Sequence, residues 1–368
     1  MEGREDLERE TLGRRNRRDT LIVTVVFLAL VGTAFLGVKL INPGYSREPY
    51  QRTMFVLEDY VTITAYGKDQ ARVEGAVDEA FRELQRLDNV FDRYDPESEL
   101  SRLNDAAARE AVPVSEDLWK VIATGVEIYR ESEGAFDITV GPLVDLWDVL
   151  GRGARGEPPP GDAEVAAALK LVGSDKLELD EAAHTVRFLQ PGVVIDVGGL
   201  AKGYALDRAA EILQSRGVRS GYISMISTDL TLGEKPGSAG GPLWRIGILD
   251  PRGEDYLATL LLPGETYVST SGDYQRFFEY QGVRYHHILD PRTGYPARGV
   301  VSVTVVGGDD GARSDAFSTA VFVMGYPQGL EWVKSRGLEC LLVDASGEVH
   351  YTEGMRALLE GIKETTTP

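Results

Sequence analysis

The chain has 368 residues, 43% of them hydrophobic, enough for a substantial core in one large domain or two. Its formal net charge is −19, and the six acids and six arginines of residues 1–20 cancel, so the acidity belongs to the body beyond residue 41. That acidity excludes nucleic acid as a partner and broad adhesion to anionic lipid, and a single cysteine, Cys340, excludes an internal disulfide or a cysteine-based metal cluster.

Leu21 to Val38 runs LIVTVVFLALVGTAFLGV without a charge. A helix of that length covers about 27 Å, close to a bilayer core. Arg14, Arg15, Arg17 and Arg18 stand just before it, and positive charge on that side predicts the N-terminus inside and the body outside. Residues 1–20 are therefore expected to be a cytoplasmic tail and 21–41 a transmembrane signal anchor. Residues 42–52, with Pro43, Gly44 and Pro49, are expected to be a linker, and 53–368 the folded body. A cleavable signal peptide is the rival reading, but the run is long for one and no Ala-x-Ala site stands out. The expected location is the cell membrane, single-pass, with the body extracytoplasmic.

Along the body, Tyr60 to Tyr66 alternates and is β-branched, which predicts a strand, and Ala71 to Val90 carries an apolar helical stripe. Phe91 to Asn104 reads as a polar loop and Leu118 to Glu131 as a second helix. Gly134 to Trp147 (GAFDITVGPLVDLW) is broken by Gly-Pro, and Gly151 to Asp162, with three consecutive prolines, reads as a loop. A short helix at Ala163 to Leu171 precedes strands near Lys176 to Leu179 and Thr185 to Phe188. After residue 215 the pattern is hairpin-connected strands, with helices only at Ser314 to Met324 and Gln328 to Arg336. This mixture predicts an α+β fold.

Four stretches carry chemistry. Val194 to Leu206 (VIDVGGLAKGYAL) reads as a strand ending at Asp196, two glycines, then a helix start with Lys202. Free N–H groups and a positive dipole at such a helix start suit phosphate or pyrophosphate, although a packing turn would use the same residues. Val268 to Tyr280 places Thr270, Ser271 and Gly272 at a strand end, where they suit a phosphate or ring carbonyl or form an ordinary polar turn. In YHHILDPRTGYPA, alternation sends His286 and His287 to opposite faces, so one can enter a site while the other packs structurally. In SDAFSTAVFVMG, Asp315 and Thr319 share one helix face and suit a hard cation such as Mg2+, unless Asp315 is only an N-terminal cap.

The ordered motifs SELSRLN, GAFDITVGPLVDLW, IDVGGLAKGYALD, STSGDY, HILDPRTGYP and SDAFSTA resemble the ApbE family of FAD:protein FMN transferases, from about Tyr60 to Gly354. The resemblance implies an ApbE-type mixed domain, with antiparallel-rich sheets and packed helices. It implies that FAD is the substrate with Mg2+ at its pyrophosphate, that a threonine hydroxyl of an acceptor protein attacks the FMN phosphorus, and that AMP leaves. By position, Asp315, Thr319 and the Gly199 carbonyl would bind Mg2+. Asp196, Lys202, Ala135, Phe136 and Asp137 would contact the flavin nucleotide, and His287 would be the general base. Two places depart from the family pattern. Leu57-Glu58-Asp59 stands where Met-Gly-Thr is usual, and Met225-Ile226-Ser227-Thr228-Asp229 where Asn-x-Gly-Gly-Asp is usual. With water as the nucleophile the same site would be an FAD pyrophosphatase; a chain that binds flavin or a partner without catalysis is the third reading.

Overall fold

The computed structural model describes residues 48–237 and 242–363. The expected tail and anchor, including Leu21 to Val38, lie outside the described residues. Among the described residues, no helix is long and apolar enough to cross a membrane.

An eight-stranded sheet organises the unit formed by Arg47–Pro236 and Pro242–Pro368. Its strands are β1 (Tyr50–Val56), β2 (Asp59–Tyr66), β3 (Ser220–Met225), β4 (Thr228–Leu232), β5 (Thr266–Gly272), β6 (Val300–Val306), β7 (Glu339–Asp344) and β8 (Val349–Tyr351). They lie side by side in chain order, every neighbour antiparallel. Alternation sets the faces: Val61, Ile63 and Ala65 of β2 are buried, as are Gly221, Ile223 and Met225 of β3. The segment expected to be linker ends earlier than the sequence suggests. Tyr50 to Arg52 already pair with Ile63 to Ala65, because the β2 ladder needs a partner on that side.

Helices α1 (Gln70–Phe91), α3 (Ala201–Ser215) and α4 (Gly311–Met324) pack on the sheet and on one another, and α2 (Glu116–Glu131) packs against α4. The α1 stripe of Val73, Val77, Ala80, Phe81, Leu84 and Leu87 is buried. Helix α4 is buried nearly all round, as a helix sandwiched within a core must be. Where α3 crosses α4, backbone meets backbone. A Cβ on Gly203 would stand 1.9 Å from the Gly311 carbonyl oxygen, and one on Gly311 would stand 2.4 Å from that of Gly203. Gly203→Ala is therefore expected to force the helices apart and cost about 2 kcal/mol, the usual scale of overpacking; an unchanged thermal midpoint would contradict this contact.

Three other expectations change. Part of the polar loop is helical, because Ser98 accepts from Ser101 N and caps Glu99–Ala106. Part of the proline-rich loop is also helical, Val149–Arg155, capped by Asp148. Residues 193–197, expected to be a strand, join no sheet. Asn104 clamps Ile195 instead, its Nδ2 donating to Ile195 O (3.0 Å) while Oδ1 accepts from Ile195 N (2.8 Å). Asp196 N donates to Ile138 O at 2.7 Å. These bonds satisfy the peptide groups that a neighbouring strand would otherwise have taken.

Because Val61 pairs with Met225, the β1–β2 and β3–β4 turns lie at the same end of the sheet, beside the C-terminal end of β5. That end opens onto the cleft described next.

Candidate active site

A cleft of about 610 Å³ lies at this end. Its walls come from the two hairpin tips, the end of β5, the starts of α3 and α4, and the segments around Arg93, Phe136, Arg276 and His287. Ala135, Phe136, Asp137, Asp196, Gly199, Lys202, Thr270, Ser271, His287, Asp315 and Thr319 all line it. Gly272 does not; it is buried, and a Cβ there would stand 2.4 Å from the Tyr274 ring, so its role is to admit that ring.

The floor is built where α3 meets α4. Asp315 is not the cap of its helix; Asp310 is, accepting from Arg313 N. Its own carboxylate accepts from Thr228 Oγ1 (3.0 Å) and from the backbone N of Gly203 (3.3 Å). The anion-binding start of α3 thus faces a carboxylate of the protein itself. Burial pushes the Asp315 carboxyl above its ordinary range, and Lys202 acts against this. One turn along, Thr319 Oγ1 shares hydrogen with Ser271 Oγ at 3.2 Å. A Cβ on Gly199 would reach within 4.0 Å of Thr319 Oγ1 and 2.9 Å of the Phe136 ring, so only glycine lets this backbone lie there. The Asp315 carboxylate and the Thr319 hydroxyl, one turn apart and both lining the cleft, are hard oxygen donors with lone pairs to spare, which fits Mg2+.

Lys202 Nζ donates to Ser227 Oγ (2.5 Å) and stands 3.9 Å from Asp59. Asp196 is held from two sides. Arg93 Nη1 donates to its Oδ2 at 2.9 Å, while Gly198 N donates to its Oδ1 at 2.9 Å. Arg93 also bonds Asp145 and lies 4.8 Å from the centre of the Tyr94 ring. Asp137 turns out to be a staple. Its carboxylate accepts from Thr139 N and Oγ1 and from Ser174 N and Oγ, so its side chain is committed to the loop that shapes Ala135 and Phe136. The Thr270 hydroxyl is likewise paired with Thr304.

The histidines divide as alternation predicts. His286 is buried against Phe322, with Nε2 donating to Ala297 O (2.8 Å) and Nδ1 accepting from Ile288 N. His287 faces the cleft, and its Nδ1 meets Arg276 O at 3.2 Å. A carbonyl can only accept, so Nδ1 carries the proton and Nε2 keeps the lone pair. Burial, then His286 and Arg276, push the His287 ring down to about 3, leaving it neutral.

The ApbE family model matches residues 57–342. The chain belongs to the ApbE family. It is 30% identical over 289 residues to an FAD:protein FMN transferase of Klebsiella pneumoniae, covering 78% of this chain and 86% of that protein. It is 34% identical over 264 residues to one from Vibrio cholerae, covering 71% and 77%. Among solved structures, the ApbE protein of Thermotoga maritima superposes with a TM-score of 0.77 at 34% identity, covering 85% of this chain and all of that one. The α+β fold expected from the motifs is thus the fold found.

Sequence reasoning missed Arg93 and Arg276, and it marked Asp59 and Ser227 only as departures from the family pattern; all four line the cleft. Their partners lie far along the chain: Arg93 bonds Asp196, and Arg276 pairs with Glu58. No local spacing reports such pairs. Only the position of Arg93 within the SELSRLN-flanking loop, and the two departures from the ApbE pattern, offered a signal.

Proposed function

We propose that this ApbE-family chain transfers FMN from FAD to a threonine of an extracytoplasmic or membrane acceptor protein, releasing AMP, with Mg2+ at the Asp315 end of the cleft. The observation that carries this reading is the convergence on one cleft of a hard oxygen set, the three cations Arg93, Lys202 and Arg276, and a histidine with a free lone pair. Phosphoryl transfer needs positioning and charge neutralisation above all.

Lys202 and Arg276 offset negative charge on the pyrophosphate, and Asp196, braced by Arg93, orients the nucleotide. Mg2+ held by Asp315, Thr319 and the Gly199 carbonyl would supply further charge neutralisation at the transferred group. His287 Nε2 accepts the proton of the acceptor hydroxyl. The hydroxyl oxygen forms its bond to the FMN phosphorus while the bond from phosphorus to the bridging oxygen breaks, and AMP leaves with that electron pair. The charge-free run at Leu21 to Val38 would hold this body outside the membrane, near membrane-bound acceptors.

The test mixes the purified protein with FAD, Mg2+ and a threonine-bearing acceptor, then follows AMP release and acceptor mass, with the activity also assayed in membrane and soluble fractions. AMP and covalent flavin are expected together and in the membrane fraction. Free FMN without acceptor would instead indicate a pyrophosphatase, and bound FAD without AMP a flavin-binding protein. Activity confined to the soluble fraction would remove the anchor.

A further inference from the structure

The two hairpin tips at which this chain departs from its family pattern converge on the cations of the cleft. The β1–β2 turn is a tight two-residue connection, with Val56 paired to Asp59 and both Leu57 and Glu58 in the left-handed region (φ 57° and 56°). That conformation is usually left to glycine or asparagine, and a leucine and a glutamate held in it point to a constraint beyond chain reversal. The turn sends one carboxylate inward, that of Asp59, and holds the other, that of exposed Glu58, at the mouth of the cleft. Glu58 Oε2 lies 3.4 Å from the Arg276 guanidinium across the mouth of the cleft. Asp59 is buried, accepts from Tyr60 N (2.7 Å) through Oδ1, and holds Oδ2 3.9 Å from Lys202 Nζ. The second tip completes the arrangement. Ile226, exposed and β-branched, is also left-handed (φ 40°), which brings Ser227 Oγ to Lys202 and Ser227 O to Thr270 N.

We propose that the Leu57–Asp59 turn is an acidic plug in the phosphate subsite: its carboxylates hold Lys202 and Arg276 until a more highly charged external anion replaces them. The identity of that anion, a nucleotide pyrophosphate, rests on the flavin-transfer reading; the displacement itself does not. Both cations already have counter-ions, so binding exchanges one ion pair for another. Affinity then falls, and selection turns on charge: a pyrophosphate, carrying several charges, can exchange with two carboxylates, whereas a flavin without phosphate gains nothing from either cation. The buried Asp59 pair is the stronger element. The exposed Glu58 pair is screened by salt and weighs less.

The test measures equilibrium binding of FAD, inorganic pyrophosphate and riboflavin to the full-length protein and to its Asp59→Asn and Glu58→Gln variants, at low and high salt. The amide oxygen introduced by Asp59→Asn can still accept from the Tyr60 N–H, and Glu58 is a surface residue, so at least one variant keeps the fold. Asp59→Asn is expected to bind FAD and pyrophosphate about tenfold more tightly, and Glu58→Gln about twofold, the latter difference vanishing at high salt. Riboflavin affinity is expected to stay fixed, which a general loosening of the cleft would not allow. Unchanged or weaker pyrophosphate binding in both variants overturns the plug, even if FAD still binds. Tighter pyrophosphate binding with no FAD binding in any form upholds the plug and overturns the flavin reading. A protein that binds neither anion overturns both.

Discussion

Asp315→Asn is expected to lower kcat/KM for flavin transfer about a thousandfold and to abolish the response to added Mg2+. A bound divalent ion supplies several kcal/mol of transition-state stabilisation, and each 1.4 kcal/mol is a factor of ten. The substitution keeps the size of the side chain, so the fold should survive. It removes the charge at the floor of the cleft, while the amide oxygen can still accept from Gly203 N and the amide N–H can donate to Thr228 Oγ1, so the anionic ligand is lost and the local hydrogen bonds are kept. Rates measured across a Mg2+ titration, with thermal unfolding as the control for folding, decide the matter. Full activity in the variant would remove Asp315 from metal binding.

The second large effect is expected at His287. His287→Ala should lower kcat about 10²- to 10⁴-fold, the usual contribution of general-base catalysis, with FAD affinity little changed and partial rescue by added imidazole. The pH dependence follows from the environment of the ring. In the free protein it is pushed down to about 3, chiefly by burial and then by His286 and Arg276. The limb of kcat/KM that it sets, with Mg2+ saturating, should therefore lie far below pH 6.5. A bound pyrophosphate offsets the positive charge of Arg276 and Lys202, so the matching limb in kcat should move to higher pH. A limb at pH 6.5 in kcat/KM would mean an exposed, ordinary histidine and a different base. The same shift acts on stability. His287, and His286 at about 4, hold folded values below that of the unfolded chain. Their contribution is present above pH 6.5 and is lost as pH falls from there towards 3 to 4.

Most elements were legible because their periodicity is local. The α1 stripe, the β2 alternation and the Asp315–Thr319 spacing each report a face that the structure buries or turns to the cleft. The division of labour between His286 and His287 was legible for the same reason. What could not be read were groups satisfied from a distance. Residues 193–197 look like a strand, yet Asn104, about 90 positions earlier, takes the place of a neighbouring strand. Asp137 looks like a ligand-facing carboxylate, yet Ser174 claims it. The two carboxylates of the plug could be seen as a departure from the family pattern, but only the fold shows that Lys202 and Arg276 face them. Hydrophobic pattern is a property of one segment, whereas a polar partner is a property of topology.

The crossing of α3 and α4 at Gly203 and Gly311 has a consequence for how this site can change. With two peptide backbones touching, the distance from the start of one helix to Asp315 on the other is set by main-chain thickness, as in a hinge with no play. Substitutions in the surrounding core can shift both helices together but cannot alter that spacing. Variation in the molecules this cleft accepts must therefore arise at its rim, in the hairpin tips, where side chains can be exchanged without moving the floor.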